Sequence, residues 1–201
     1  MKKYLILGIF STLIGYSGTE VTVLAQGSVG GFQSDDINNT SVHAGIHTSL
    51  GKVIPIKKYG INVNLGTGLE GGLSKKILNK SENEKYNIKI EDFNRKIETA
   101  HDTEKNKLEI EKKDYERTIK NFHPYISPFI FAEVNGEVKE DIKLYTGASI
   151  GSYHYIVNDR SINKFAIKAK FGATFKNTFT GEISLGYPQY FTIGLGTKFN
   201  F

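Results

Sequence analysis

The chain closes on YFTIGLGTKFNF, residues 190–201. Read by parity, Phe191, Ile193, Leu195, Thr197, Phe199 and Phe201 fall on one side, and Tyr190, Thr192, Gly194, Gly196, Lys198 and Asn200 on the other. Side chains alternate across a β-strand, so this is a strand with one apolar face and one polar or very small face. Chain ends are usually frayed and polar unless they are tied into a sheet. An aromatic as the last residue of an alternating strand places the terminus inside the fold.

The same period recurs upstream. In SVHAGIHTSL, Val42, Ala44, Ile46, Thr48 and Leu50 oppose Ser41, His43, Gly45, His47 and Ser49. In YGINVNLGTGLEGGL, Ile61, Val63, Leu65, Thr67, Leu69 and Leu73 oppose Gly60, Asn62, Asn64, Gly66, Gly68, Glu70 and Gly72. KFAIKAKFGATFK sets Phe165, Ile167, Ala169, Phe171, Ala173 and Phe175 against Lys164, Lys168, Lys170, Gly172 and Thr174. EISLGY continues the pattern, while HPYISPFIFAEV and DIKLYTGASIGSYHYIV carry it less cleanly. Alternation alone also suits a sandwich. Here the polar faces are rich in Gly and Lys, and the strands approach the ~9–11 residues that cross a bilayer at a tilt. The chain offers no second apolar layer of the kind a sandwich needs. Lipid is then the second layer.

The N-terminus reads as an export signal. Lys2 and Lys3 precede an apolar run from Tyr4 to about Tyr16, shorter than the ~20 residues of a membrane anchor. Val23 and Ala25 stand three and one before a cleavage point, which assigns 1–25 to a cleaved signal peptide and 26–201 to the mature barrel. The 201 residues contain no Cys, which fits an exported protein stabilised without disulfides. A net charge of +5, with no basic stripe and no zinc spacing, argues against nucleic acid as a partner.

Counting back from the terminus, strands run at 190–201, 181–187, 164–176, 140–156, 123–134, 59–73, 40–50 and roughly 26–33. Eight is an even number, as closure of a single-chain bacterial barrel requires, and closure abolishes both sheet edges. With its signal peptide, its eight alternating segments and FTIGLGTKFNF, the chain resembles the small outer-membrane β-barrels of the opacity-protein and surface-antigen superfamily. That group is similar in fold to the membrane domain of outer-membrane protein A. The resemblance covers about 26–73 and 123–201. It implies an all-β, eight-stranded antiparallel transmembrane barrel in the cell outer membrane of a Gram-negative bacterium. It also implies recognition of the last strand, through Phe201 and Phe199, Leu195, Ile193 and Phe191, by the barrel-assembly machinery. Thr197 departs mildly from that pattern.

Residues 74–121 break the pattern. Of these 48 residues, 13 are Lys or Arg and 11 are Asp or Glu, just over half of all the charges in the chain. Tyr86, Ile90, Phe93, Ile97 and Ala100 form one helical seam, and Leu108, Tyr115, Ile119 and Phe122 a second, out of phase with the first. Asp102 or Thr103 is placed to cap a new helix. One helix over 86–121 would run ~54 Å, while a 12-residue leader reaches at most ~40 Å. Two arms return the chain to the neighbouring strand. The expectation is an extracellular helical hairpin that contacts a host or surface protein.

The remaining chemistry reads as structure. Glu70, Glu133 and Glu182 share the luminal parity with Lys143, Lys164, Lys168, Lys170 and Lys198, and an eight-stranded barrel is just wide enough to be filled by side chains. An ion-pair network across the lumen follows, since an unpaired buried charge is costly. His43 and His47 share that face and are expected to bond Glu rather than a metal. Ser152 and His154 lie on one face near the outer rim, but no His-x-Ser-Asn segment and no Gly-x-Ser-x-Gly elbow accompanies them. The chain is therefore expected to be no enzyme, with no catalytic, cofactor-binding or metal-binding residue and no cofactor. Its outer-membrane lipid surroundings are its general partner. The leading function is a surface antigen or adhesin with a plugged lumen; a narrow porin-like channel and a purely structural barrel are the alternatives, with a lipid-modifying enzyme the least favoured reading.

Overall fold

The computed structural model describes residues 18–34, 37–158 and 160–201. The apolar run of the leader lies outside the described residues. The strands are β1 (Thr19–Ser34), β2 (Ile37–Ile56), β3 (Ile61–Ile77), β4 (Phe122–Lys139), β5 (Ile142–Val157), β6 (Arg160–Phe175), β7 (Phe179–Tyr187) and β8 (Gln189–Asn200). Helices α1 (Lys80–Thr99) and α2 (Asp102–Lys120) are inserted between β3 and β4. Each strand pairs with the next, and β1 pairs antiparallel with β8, so the sheet is a closed barrel of eight strands. This is the fold class implied by the alternation and by the resemblance.

The chain terminus is tied in as its pattern requires. Phe201 N–H donates to Thr19 O at 2.8 Å, and Gly18 N–H to Phe201 O at 2.6 Å. Gly18 and Phe201 thus share one end of the barrel with the tight turns at 57–60, 140–141 and 176–178. Asp141, Lys176 and Asn177 turn there with φ of 65°, 50° and 53°. The other end carries the helices, and Asn158 turns there with φ 47°.

The period of two sorts the barrel inside out. Phe165, Ile167, Phe171, Ile183, Leu185, Ile193 and Leu195 are exposed on the outer wall, while Glu70, Glu133, Lys168, Lys170 and Lys198 are buried. Exposed aromatics mark both rims: Phe122, Tyr187 and Tyr190 at the helical end, and Tyr59, Phe175, Phe179 and Phe201 at the opposite end. An apolar band flanked by aromatic girdles around a polar interior is what lipid requires of a barrel.

The strands are mostly longer than their alternation announces, and β1 differs most. It starts at Thr19, not near Gln26. Glu20, Thr22 and Leu24 are buried inside, and Val21, Val23 and Ala25 take the opposite parity. The residues that a cut after Ala25 would remove pair with Ile46–Lys52 on β2 and with Leu195–Asn200 on β8. The spacing of Val23 and Ala25 suits both readings. A signal-peptidase site wants small or compact residues two apart, and one face of a strand repeats every two residues.

Candidate functional sites in the lumen, the hairpin and the rim

The lumen holds two charge clusters, both built from luminal-face residues on strands distant in sequence. In the first, Lys168 Nζ meets Glu70 Oε2 at 2.8 Å. The other oxygen of Glu70 accepts from Tyr153 OH at 2.5 Å, Gln189 Nε2 at 3.1 Å and Tyr125 OH at 3.2 Å. In the second, Lys198 Nζ meets Glu133 Oε1 at 2.8 Å and Glu20 Oε1 at 3.0 Å. Lys170 Nζ meets Glu133 Oε2 at 2.9 Å and Glu182 Oε2 at 3.7 Å. Aromatic faces shield the ammonium groups: Lys198 Nζ lies 3.8 Å from the Tyr145 ring centroid and Lys170 Nζ 4.6 Å from that of Phe131. The void left beside His47, Glu70 and Lys168 is about 20 Å³, room for about one water. A vestibule of about 420 Å³, lined by Glu20, Asn62, Asn135, Lys143 and Lys198, opens at the end opposite the helices.

The sequence named Glu70, Glu133, Glu182, Lys168, Lys170 and Lys198 as members of one network; the fold sets Glu70 with Lys168, and Glu133 and Glu182 with Lys170 and Lys198. Lys143 lines the vestibule, and Lys164 is half-buried near the opposite end. Glu20 was missed because it was assigned to the leader. Tyr125, Tyr145, Tyr153 and Gln189 were missed because nothing local in the sequence tells a luminal tyrosine from an interfacial one. His43 and His47 are luminal, and His47 stands opposite Glu70 across β2–β3. His43 Nε2 lies 2.8 Å from Ser41 Oγ, and the His47 ring stacks on Phe129 with centroids 4.8 Å apart. Among the described residues no three His, Cys, Asp or Glu converge where an ion could sit.

The insertion is the antiparallel helical pair its two seams predict, with a different start and stop. Strand β3 runs on to Ile77, so only 78 and 79 lead into α1. Asn79 caps α1 by a reciprocal pair: its Oδ1 accepts from Glu82 N–H at 2.9 Å, and its own N–H donates to Glu82 Oε2 at 2.7 Å. The cap of α2 is His101, without a side-chain bond, and Asp102 is the first helical residue. Tyr86 stacks on Tyr115 at 5.8 Å, Phe93 lies 6.1 Å from Tyr115, and Lys112 Nζ donates to Asn94 Oδ1 at 2.7 Å across the pair. Phe122 is not in the seam; it opens β4 and faces outward. On the solvent side Lys96 holds Asp92 at 2.8 Å and keeps its carboxyl below the usual carboxylate range. The pair is anchored at its base, where Asn158 Nδ2 donates to Asp114 O at 2.8 Å and Thr118 Oγ1 at 2.7 Å. Ile88 and Ile110 are exposed on the arms, 64% and 63%.

At the rim of the same end, Ser152 and His154 are within hydrogen-bonding reach, Oγ to Nε2 at 2.8 Å. Strand β6 adds Asn163, whose Oδ1 lies 2.7 Å from His154 Nδ1. Sequence reading had the first two on one face and missed the third, because only the β5–β6 register sets Asn163 opposite His154.

No protein-family model matches the chain, and no curated protein matches it in sequence. Among solved structures it is similar to the crystal structure of Ail, the attachment invasion locus protein of Yersinia pestis. The identity is 10% and the TM-score 0.37, over 92% of this chain and 100% of that one.

Proposed function

We propose that the chain is an outer-membrane surface protein of the adhesin or surface-antigen type, with a closed lumen and a helical hairpin that contacts a partner outside the cell. The observation that carries this reading is the filled lumen: four buried glutamates and three buried lysines meet across it and leave a void of about 20 Å³. A barrel so filled has its exposed helices as its outward feature. Those arms, of 20 and 19 residues, span about 30 Å at 1.5 Å per residue. With the start of β1, Phe201 and the tight turns at the periplasmic end, the hairpin lies on the extracellular side. The last strand, ending at Phe201, is the segment offered to the assembly machinery. The export leader ends upstream of Thr19, so that all of β1 survives processing.

The test pairs two measurements on the refolded chain. Planar-bilayer recordings should show no steady ion-conducting state, and replacing 79–121 by a short Gly/Ser turn should leave a heat-modifiable barrel that no longer binds host cells or host matrix. A regular conductance step in the intact chain would favour the narrow channel. Cell binding undiminished by the deletion would remove the hairpin's role.

A further inference from the structure

Ser152, His154 and Asn163 form a directed hydrogen-bond chain on the outer wall of the barrel. Their neighbours of opposite parity, Tyr153 and Tyr155, are buried in the lumen, so Ser152 and His154 face away from it. Around them the wall is apolar: Ile126 pairs with His154 across β4–β5, Phe165 pairs with Ser152 across β5–β6, and Ile150 and Ile156 flank the pair along β5. The direction of the chain is set at Asn163. Its Oδ1 accepts from Ser161 Oγ at 3.0 Å as well as from His154 Nδ1. Nδ1 therefore carries the ring proton, and the Nε2 lone pair faces the Ser152 hydroxyl. A nucleophile, a base in the reactive tautomer and a third group that orients the base are the parts of an activated hydroxyl.

A second observation supplies a place for a substrate. On the barrel-middle side of Ser152 the outer wall is hollowed into a groove of about 460 Å³, lined by Leu65, Ile130, Ala132, Ala148, Ile150 and Ile167. Ile150 stands two residues from Ser152 on the same face, ~7 Å along the strand. The groove is apolar and open on the outer wall, and Ser152 stands beyond its Ile150 edge, toward the rim. Ser41 and His43 make the same 2.8 Å contact inside the filled lumen, where no acyl chain can reach them.

We propose that Ser152, His154 and Asn163 form an acyl-ester hydrolase site for lipids of the leaflet at the hairpin end of the barrel. Ser152 is the nucleophile, His154 the general base and acid, Asn163 a positioning residue, and the groove holds the acyl chain. Ser152 Oγ attacks the ester carbonyl carbon while its proton passes to His154 Nε2. The bond from that carbon to the lipid's alcohol oxygen breaks, and His154 returns the proton to the departing alkoxide. Water, deprotonated by the same Nε2, then attacks the acyl-serine and releases a free fatty acid, with the proton returning to Ser152 Oγ. Ester and water give acid and alcohol, and no other reactant is needed. This inference is independent of the hairpin's partner and departs from the expectation that the chain carries no catalysis.

The test uses the full mature chain refolded in phosphatidylethanolamine vesicles. Fatty-acid release is followed with time, and a fluorophosphonate probe is read by peptide mass spectrometry. The expected result is slow fatty-acid release with probe mass on the Ser152 peptide and none on Ser41. Ser152→Ala should abolish both, and His154→Ala should lower release by roughly a hundredfold. Asn163→Ala should lower it and shift its pH profile, while Asn163→Asp keeps most of it; heat-modifiable mobility should be unchanged throughout. A folded wild-type chain that releases no fatty acid and takes no probe overturns the proposal without reference to any variant. So does release that persists in Ser152→Ala.

Discussion

Lys198 and Glu133 meet across the lumen at 2.8 Å although 65 residues separate them in the chain. The same ammonium holds Glu20 at 3.0 Å. One side chain of the last strand thus binds the first and fourth strands from inside. Replacing Lys198 with Met keeps most of its length and removes its charge, which leaves Glu20 without an ionic partner. Breaking one side of a buried pair costs about 3–5 kcal/mol. Urea unfolding in lipid vesicles should show a loss of that order, and a midpoint equal to wild type would mean that the cluster contributes nothing.

Phe171 and Lys170 are adjacent, yet Phe171 is 49% exposed on the outer wall and Lys170 is 8% exposed within. Phe171→Arg should cost roughly 2–4 kcal/mol at mid-membrane depth. The loss should shrink when the variant is folded in detergent micelles, which let water reach the wall. The same loss in both media would place Phe171 off the lipid face.

Gly196 closes the seam between β1 and β8. A Cβ added there would stand 1.9 Å from Val23 O, a backbone atom that cannot swing aside. Gly196→Ala should therefore cost about 1–3 kcal/mol through overpacking and lower the yield of heat-modifiable barrel. Gly27→Ala is the matched control on the partner strand, since a Cβ there meets nothing within 4 Å. Equal yields for the two variants would contradict the register in which Gly196 faces Leu24.

The mature N-terminus should lie upstream of Thr19. The motive is Glu20, buried and paired with Lys198, and the unbroken pairing of Thr19–Ala25 with β2. N-terminal sequencing and intact mass of protein taken from outer membranes decide the point. A chain beginning at Gln26 would put the β1 assignment in error.

The eight strands were legible because lipid and lumen impose opposite demands on alternate residues, so the period of two is strong wherever a strand crosses the apolar band. Their ends were not. At Lys52 and Lys75 the outward parity turns polar while the backbone ladder continues, and hydrogen bonding leaves no mark on sequence. The hairpin was legible from two seams out of phase at Ala100 and Leu108. Its anchor was not, because Asn158 reaches Asp114 and Thr118 from a different loop. Of the candidate sites, the lumen charges could be named from parity, but who pairs with whom required the register. Glu70 takes Lys168 from β6 and Gln189 from β8, choices invisible along any single strand.

The distribution of those pairs has a consequence for how the molecule is made. Glu70 stands on β3, Lys168 on β6 and Gln189 on β8, and Glu20 on β1 waits for Lys198 on β8. Most of these ionic partners are contributed by the second half of the chain. A stave entering lipid early would carry a naked carboxylate, which hydrocarbon does not tolerate. Neutralisation becomes complete only with the final strand, so stepwise insertion from the N-terminus is disfavoured and transit of the sheet is coupled to its closure. The ladder order of assembly is thereby biased from inside the barrel, by charges that no lipid ever meets in the finished protein.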